Sequence, residues 1–400
     1  MISRRQFLQH SSLIALSPLV PAFLSTTATA AGANKDARIL VVIQMEGGND
    51  GINTVVPFGD DGYARHRKEL RIPTSELIKL NDHVGLHPAM RRAADLLEQG
   101  RLAIVQGVGY PNPNRSHFES MQIWQTARTD LSQADRGWIG RAFDQLPWPR
   151  TSGPDAIYVG DEALPRALWG RRTDAATLTS MDDLKLTLPT SPPVTAASGA
   201  SDDVDAFVRR TVLGAYATAN ELSRAGNQTS AGSAVVYPDT KLARQLQLIP
   251  QLIQSGAASR VYYAAQRSYD THYAQLPEHE RLLLELSGAL KAFLDDLTSA
   301  KLSDRVLVLA FSEFGRRVAE NGSMGTDHGT AAPVFLAGNA VKPGLIGQTP
   351  SLEDLDHGDL KMSTDFRRIY ATLLQSWLGL PSRDVLTGRF SPVDVLGEVS

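Results

Sequence analysis

The sequence predicts an α/β domain in which a mostly parallel β-sheet carries helices on both faces, a three-layer α/β/α arrangement. Two patterns point to it. Short apolar, β-branched runs recur along the chain and stop at glycines or polar turn residues, as strands buried on both faces do. Between them lie longer stretches whose apolar residues recur every three or four positions, as helices resting on a sheet do. A third observation sets the scale: 400 residues and no cysteine mean a core that holds without disulfides.

The first segment reads as an address rather than as fold. Ser3-Arg4-Arg5-Gln6-Phe7-Leu8 is a short basic head, followed by a mildly apolar stretch at 13–24 and a run of small residues at 26–31. This is the layout of a twin-arginine signal peptide over residues 1–30, cleaved after Ala30. The implied partner is the twin-arginine (Tat) export machinery, and the implied location is periplasmic or secreted. With Pro18, Pro21 and several serines, the stretch is too short and too polar to span a bilayer, so no stable membrane insertion is expected. The formal charge is −3, and removing the two leader arginines makes the remainder more acidic still, which argues against nucleic acid as a partner. The absence of cysteine removes thiolate metal ligands and a thiol nucleophile.

Strands are expected at 38–45, 102–108, 156–159, 260–264, 305–311 and 333–337. Helices are expected at 88–99, opened by Pro88 and stopped at Gly100, and from Ser116 through Trp124. Further helices are expected at 240–255, where Pro250 should kink or break the run, and at 278–300 and 363–378. Residues 173–205 are rich in Ser, Thr, Pro, Ala and Asp, and 226–233 are similar. A loop or cap insertion is therefore expected around 171–235 within a single domain at 31–400.

Ligands in such sheets bind beyond the carboxyl ends of the strands. After the first strand stand Asn49 and Asp50, in a Gly-rich turn that serves equally as a plain tight turn. After the second stand Arg115, Ser116 and His117. Ser116 opens a helix, where free backbone N–H groups favour an anion, yet Ser116-x-x-Glu119 is also a capping box. The later strand ends carry Asp270 and His272, then Glu313, Arg316 and, before the next strand, Asp327 and His328. Carboxylates and imidazoles at several strand ends are what a divalent ion of the zinc or manganese class needs. Asp356-His357-Gly358 repeats the Asp-His-Gly tripeptide without a preceding strand and is set aside. His66, His83, His87 and His279 read as loop or surface-helix residues.

Taken in order, Asn49-Asp50-Gly51, Arg115-Ser116-His117-Phe118, Asp270-Thr271-His272, Ser312-Glu313-Phe314-Gly315-Arg316 and Gly325-Thr326-Asp327-His328-Gly329 resemble the secreted bacterial "domain of unknown function 1501" family, a distant relative of alkaline phosphatases and sulfatases. The resemblance covers nearly the whole chain beyond the leader. It implies an alkaline-phosphatase-like fold. Residue by residue it implies Ser116 as nucleophile and His117 as acid–base partner. It implies Asp50, Asp270, His272, Glu313, Asp327 and His328 as the metal set, and Asn49 and Arg316 as anion-binding groups. Ser268 and Phe314 stand where the superfamily pattern has an acid and a His, which implies one metal or an altered pair. Arg316 reads equally as the partner of a salt bridge.

The expected function is that of a metal-dependent hydrolase of phosphate or sulfate esters on a small molecule or glycan. The alternative is a non-catalytic scaffold of the same fold that binds an envelope glycan or a secreted partner. A mutase or transferase is a third reading.

Overall fold

In the computed structural model, β1 (Ile39–Met45) occupies the middle of the sheet with every side chain buried. The structure describes residues 37–147, 154–180 and 234–397. The expected leader, and residues 181–233 of the expected insertion, lie outside the described residues.

The strands that join β1 are β2 (Leu102–Gly109), β3 (Ala156–Val159), β4 (Ala175–Leu178), β5 (Val261–Gln266), β6 (Val306–Ser312), β7 (Ala332–Ala337), β8 (Gly344–Ile346) and β9 (Thr364–Asp365). Their spatial order is β8-β2-β7-β6-β1-β5-β3-β4, with β9 also paired to β2. β7 is antiparallel to both its neighbours, and the other pairings are parallel. The helices that cover them are α1 (Arg91–Glu98), α2 (His117–Thr126), α3 (Trp138–Asp144), α4 (Lys241–Gln254), α5 (Gln275–Ser299) and α6 (Phe366–Thr372).

Side-chain alternation splits the core in two. Ile39, Val41, Ile43 and Met45 pack with the apolar stripes of α1, α4 and α5, while Leu40 and Val42 pack with those of α2, α3 and α6. In the second layer Trp124 lies flat between Phe311 and Phe366, with ring centroids 4.9 and 4.4 Å away. Each such pair adds roughly 0.5–1.5 kcal/mol beyond its buried area. The expected α/β/α architecture is therefore the observed one, and all six expected strands form.

Register positions the site. Met45 stands level with Gln266 on β5 and with Ser312 on β6. Segments leaving these three strands emerge together at one edge. β7 runs the other way with Ala332 opposite Val108 of β2, so the loop entering β7 and the loop leaving β2 reach that edge too.

Some expectations are corrected. α4 runs through Pro250 without a break. Proline cannot donate to the carbonyl one turn back, but Leu246, Ile249, Leu252 and Ile253 are all buried and hold the turn by packing. Ala175–Leu178, expected in a surface loop, is the edge strand β4, paired in parallel to β3. The stretch 363–378 is β9, α6 and a π-helical turn, Leu373–Trp377, rather than one helix. His87 and His279 are buried, not on the surface. The Asp356-His357-Gly358 segment forms the tip of a small hairpin, with Leu355 opposite Leu360 and His357 exposed.

Candidate functional site

The loops at this edge bring His117, Asp270, His272 and His328 together. Asp270 Oδ1 lies 3.3 Å from His117 Nε2, 3.0 Å from His272 Nε2 and 3.2 Å from His328 Nε2. His272 Nε2 and His328 Nε2 are 2.8 Å apart. Ligand atoms of His117, Asp270 and His328 all lie within 4.8 Å of one another, and His272 adjoins them through Asp270 and His328.

Close backbone approach makes this convergence, and glycine permits it. Gly47 follows β1 at φ +120, and a Cβ there would sit 2.5 Å from the backbone nitrogen of Asp270. Gly325 lies against His272, where a Cβ would come within 2.2 Å of the carbonyl carbon. Phe314 is buried behind the imidazoles, with its ring 4.9 Å from that of His117 and 4.8 Å from that of His328. The position where the resemblance implies a histidine is thus a packing surface for two others.

The far side of each ring fixes its tautomer. His328 Nδ1 is 2.7 Å from the carbonyl oxygen of Arg115, which can only accept, so Nδ1 carries the proton. His117 Nδ1 donates in the same way to Glu313 Oε1 at 2.8 Å, and His272 Nδ1 faces Asp327 Oδ1 at 3.4 Å. In the neutral rings, each Nε2 then turns a lone pair toward Asp270, and that of His272 also faces Arg316 Nη1 at 3.4 Å. Lone pairs facing one another repel unless a cation lies between them. His117 Nε2 is buried and has no hydrogen-bond partner. An orphaned nitrogen among lone-pair donors, each backed by an acceptor on its other nitrogen, fits a divalent ion.

The electrostatics follow from the same contacts. The hydrogen bond that His117 donates to Glu313 raises its imidazole above its ordinary range. Burial lowers that of His328. Burial pushes the Asp270 carboxyl up, but the bond and charge of Arg316 outweigh it and hold the group at about 2. The hydrogen bond from Asn321 lowers Asp327.

Several expected site residues have partners within the protein. Glu313, expected as a ligand, is buried and accepts from His117 Nδ1 and, at 2.9 Å, from the Gly47 amide, so it orients the ring. Asp327 faces the outer nitrogen of His272 in the same manner. Arg316, expected to clamp an anion, is buried and spent on the protein. It donates to the carbonyls of Gly48 (2.7 Å), Gly47 (2.5 Å), Tyr269 (3.0 Å) and Thr326 (2.8 Å), and to Asp270 Oδ1 (2.7 Å). It ties three loops together and aims Asp270.

Asp50 does not join the cluster. It is fully buried against Arg67, with oxygen–nitrogen distances of 2.5 and 3.1 Å, and accepts from Gln275 Nε2 at 2.5 Å. Burial would raise its carboxyl, but Arg67 brings it down to about 2. Asn49 turns inward as well, its Oδ1 meeting Thr54 Oγ1 at 3.1 Å and His279 Nε2 at 3.0 Å. Ser116 is the N-cap of α2, its Oγ accepting from the Glu119 amide at 3.5 Å, and it immediately precedes His117.

Arg67, Gln275 and His279 were not expected here. His279 had a signal: it stands three residues before Leu282 and so continues the apolar stripe of α5 into the core. Arg67 and Gln275 had none, because nothing in the sequence marks Asp50 as the partner of a residue 17 or 225 positions away.

No curated protein matches this chain. Similar solved structures include the PsFucS1 sulfatase from Pseudoalteromonas sp., at 10% identity and TM-score 0.41, covering 95% of this chain and 75% of that one. Another is the C-terminal periplasmic domain of EcEptC from Escherichia coli, at 9% identity and TM-score 0.43, covering 86% and 83%. A third is a protein in the alkaline phosphatase superfamily from Vibrio parahaemolyticus, at 10% identity and TM-score 0.38, covering 80% and 64%. No helix among the described residues is long and apolar enough to cross a membrane. A family model matches residues 37–388; the family is described as "Protein of unknown function (DUF1501)", and this chain belongs to it.

Proposed function

We propose that the chain is a periplasmic or secreted, metal-dependent hydrolase of phosphate or sulfate esters, exported through the twin-arginine route. The observation that carries the reading is the meeting of His117 Nε2, His328 Nε2 and Asp270 Oδ1, with His272 Nε2 beside them and each outer ring nitrogen backed by an acceptor. His117, Asp270 and His328 are the ligands of a zinc- or manganese-class ion, and His272 completes the set. When bound, such an ion polarises an ester oxygen and lowers the pKa of a hydroxyl beside it.

The chain's own groups do the rest. Glu313 keeps the His117 lone pair aimed inward. Arg316 holds Asp270 in its ionised form. Ser116, one residue before His117 at the head of α2, is the nucleophile toward the phosphorus or sulfur centre. With Asp50 already matched by Arg67, one ion rather than two is the expected stoichiometry.

The test is metal analysis of the purified protein, thermal melting with and without added Zn²⁺ or Mn²⁺, and turnover of nitrophenyl phosphate and nitrophenyl sulfate. One bound ion per chain, a higher melting temperature on addition and turnover of either ester are expected. Absence of both the ion and the thermal shift would sink the metal reading. The cap bond of Ser116 and the inward use of Asn49 and Arg316 favour the second reading, a non-catalytic scaffold for an envelope glycan or secreted partner. It predicts a bound ion with no turnover of any ester.

A further inference from the structure

We propose that Arg115 and Arg317 grip the anionic group of the substrate, a tetrahedral oxyanion borne as a phosphate or sulfate ester; the proposal rests on the hydrolase reading above. Once Arg316 is spent on the protein interior, Arg115 and Arg317 remain beside the cluster: the Arg115 backbone bonds His328, and the Arg317 backbone bonds Asp327, which backs His272. The Arg115 carbonyl accepts from His328 Nδ1 at 2.7 Å, and the Arg317 amide donates to the carbonyl of Asp327 at 3.0 Å.

Asp359 joins their side chains. Its carboxylate, buried in the Leu355–Asp356/Asp359–Leu360 hairpin, accepts from Arg115 Nη2 through Oδ2 and lies 3.3 Å from Arg317 Nε through Oδ1. One guanidinium balances the buried carboxylate, and the charge of Arg317 also reaches Asp327, whose carboxyl it helps to lower. The pair is not buried with Asp359: the side chains of Arg115 and Arg317 are 44% and 34% exposed. A guanidinium has five N–H donors. Beyond Asp359, Arg317 Nη2 donates to the His357 carbonyl at 2.6 Å, while Arg115 Nε and Nη1 and Arg317 Nη1 have no hydrogen-bond partner among the described residues. Two partly exposed forks beside a common buried carboxylate, with unspent donors, suit the several oxygens of a phosphate or sulfate. Asp359 is thereby a positioning residue: it bonds the Arg115 guanidinium and holds the Arg317 guanidinium beside it by charge.

The test uses the full chain supplemented with Zn²⁺ or Mn²⁺. Calorimetry measures binding of inorganic phosphate and of inorganic sulfate, and steady-state kinetics follow the two nitrophenyl esters. Arg115→Met and Arg317→Met keep the aliphatic stems, and metal content and melting temperature confirm that each folds. Each is expected to weaken oxyanion binding and raise KM about tenfold or more, with a smaller change in kcat, while ion stoichiometry stays that of the parent. Arg115→Lys is expected to recover part of the loss. Whichever inorganic ion the parent binds more tightly identifies the ester. If Arg115→Met does not fold, Arg317→Met alone decides. Parental oxyanion binding and KM in the folded methionine variants would overturn the proposal. Esters turned over equally well by parent and variants would remove the clamp and leave the hydrolase. Oxyanion binding lost in the variants of a chain that hydrolyses neither ester would keep the clamp and remove the hydrolase.

Discussion

Asp50 and Asp270 leave neighbouring parallel strands at the same edge of the sheet, and a guanidinium holds each carboxyl at about 2, yet they serve opposite ends. Asp50 is closed off: Arg67 takes both its oxygens, Gln275 takes one again, and the Asn53 amide caps the other at 3.4 Å. Asp270 is half-exposed, has one guanidinium partner, and turns the same oxygen to three imidazoles. Standing after a strand brings a carboxylate to the edge. Whether it remains available for chemistry depends on which donors the rest of the chain delivers there. A buried aspartate already matched by an arginine gains little from an ion, whereas one surrounded by imidazole lone pairs calls for one.

The largest expected effect breaks the closed region. Arg67→Met leaves the Asp50 carboxylate buried without its partner and should lower stability by about 3–5 kcal/mol, measured by urea denaturation. The ion at Asp270 should remain in the folded fraction. A folded variant that no longer binds it would show the two regions to be one unit.

Acid should act on the closed region next. Burial lowers the imidazoles of His87 and His279 to about 4. Their rings contact edge-on at 5.9 Å, and His279 Nε2 is bonded to Asn49. An unfolded chain protonates each histidine below about pH 6.5, whereas the folded chain does so only below about 4. Between those values the unfolded state holds more protons, so stability is complete above pH 6.5 and falls as the pH drops toward 4. His279 alone should account for a loss on the order of 3 kcal/mol across that window. The Asp50 pair fails later, below about pH 4, as its carboxylate protonates. Denaturation midpoints flat from pH 7 to 4 would contradict the burial of these rings.

The same contrast separates what the sequence made legible from what it hid. The six expected strands were readable because each is buried on both faces and so is written as an unbroken apolar run, as in Leu40 to Ile43. β4, β8 and β9 were not. They are short edge pairings that exist because a neighbour offers a free ladder, not because their own residues demand it. The cluster was readable in outline, since Asp270, His272 and His328 all stand where loops leave or enter central strands. The contacts within it were not. Glu313 was expected as a ligand and His117 as an acid–base group, and sequence could not show that the two bond each other, because it records which residues reach the edge, not which ring nitrogen faces which oxygen. Arg316 looked available for an anion because its carbonyl partners come from three separate loops.

A smaller effect sharpens the open region. Glu313→Gln keeps the size of the side chain but replaces the carboxylate behind His117 with an amide, which no longer fixes the ring's tautomer by charge. Ion affinity should fall about 10–100-fold, measured by titration against a competing chelator. Asp50→Asn, tested in parallel, should shift melting and leave that affinity within a few-fold. Equal losses of affinity in both would erase the distinction between the two aspartates.

The smallest structural effect decides the largest functional question. Ser116→Ala removes the cap of α2, which typically costs about 1 kcal/mol, and leaves all four residues of the cluster in place. A hydroxyl that serves only the helix would show this loss in denaturation and nothing in turnover. One that also attacks the ester would abolish turnover while ion binding and oxyanion binding persist. Because His117 follows it directly in α2, ion affinity measured on the same variant reports whether loss of the cap has disturbed the cluster. Unchanged affinity with lost turnover can be attributed to the missing oxygen, and unchanged turnover would leave the open region with an ion and an anion site but no serine chemistry.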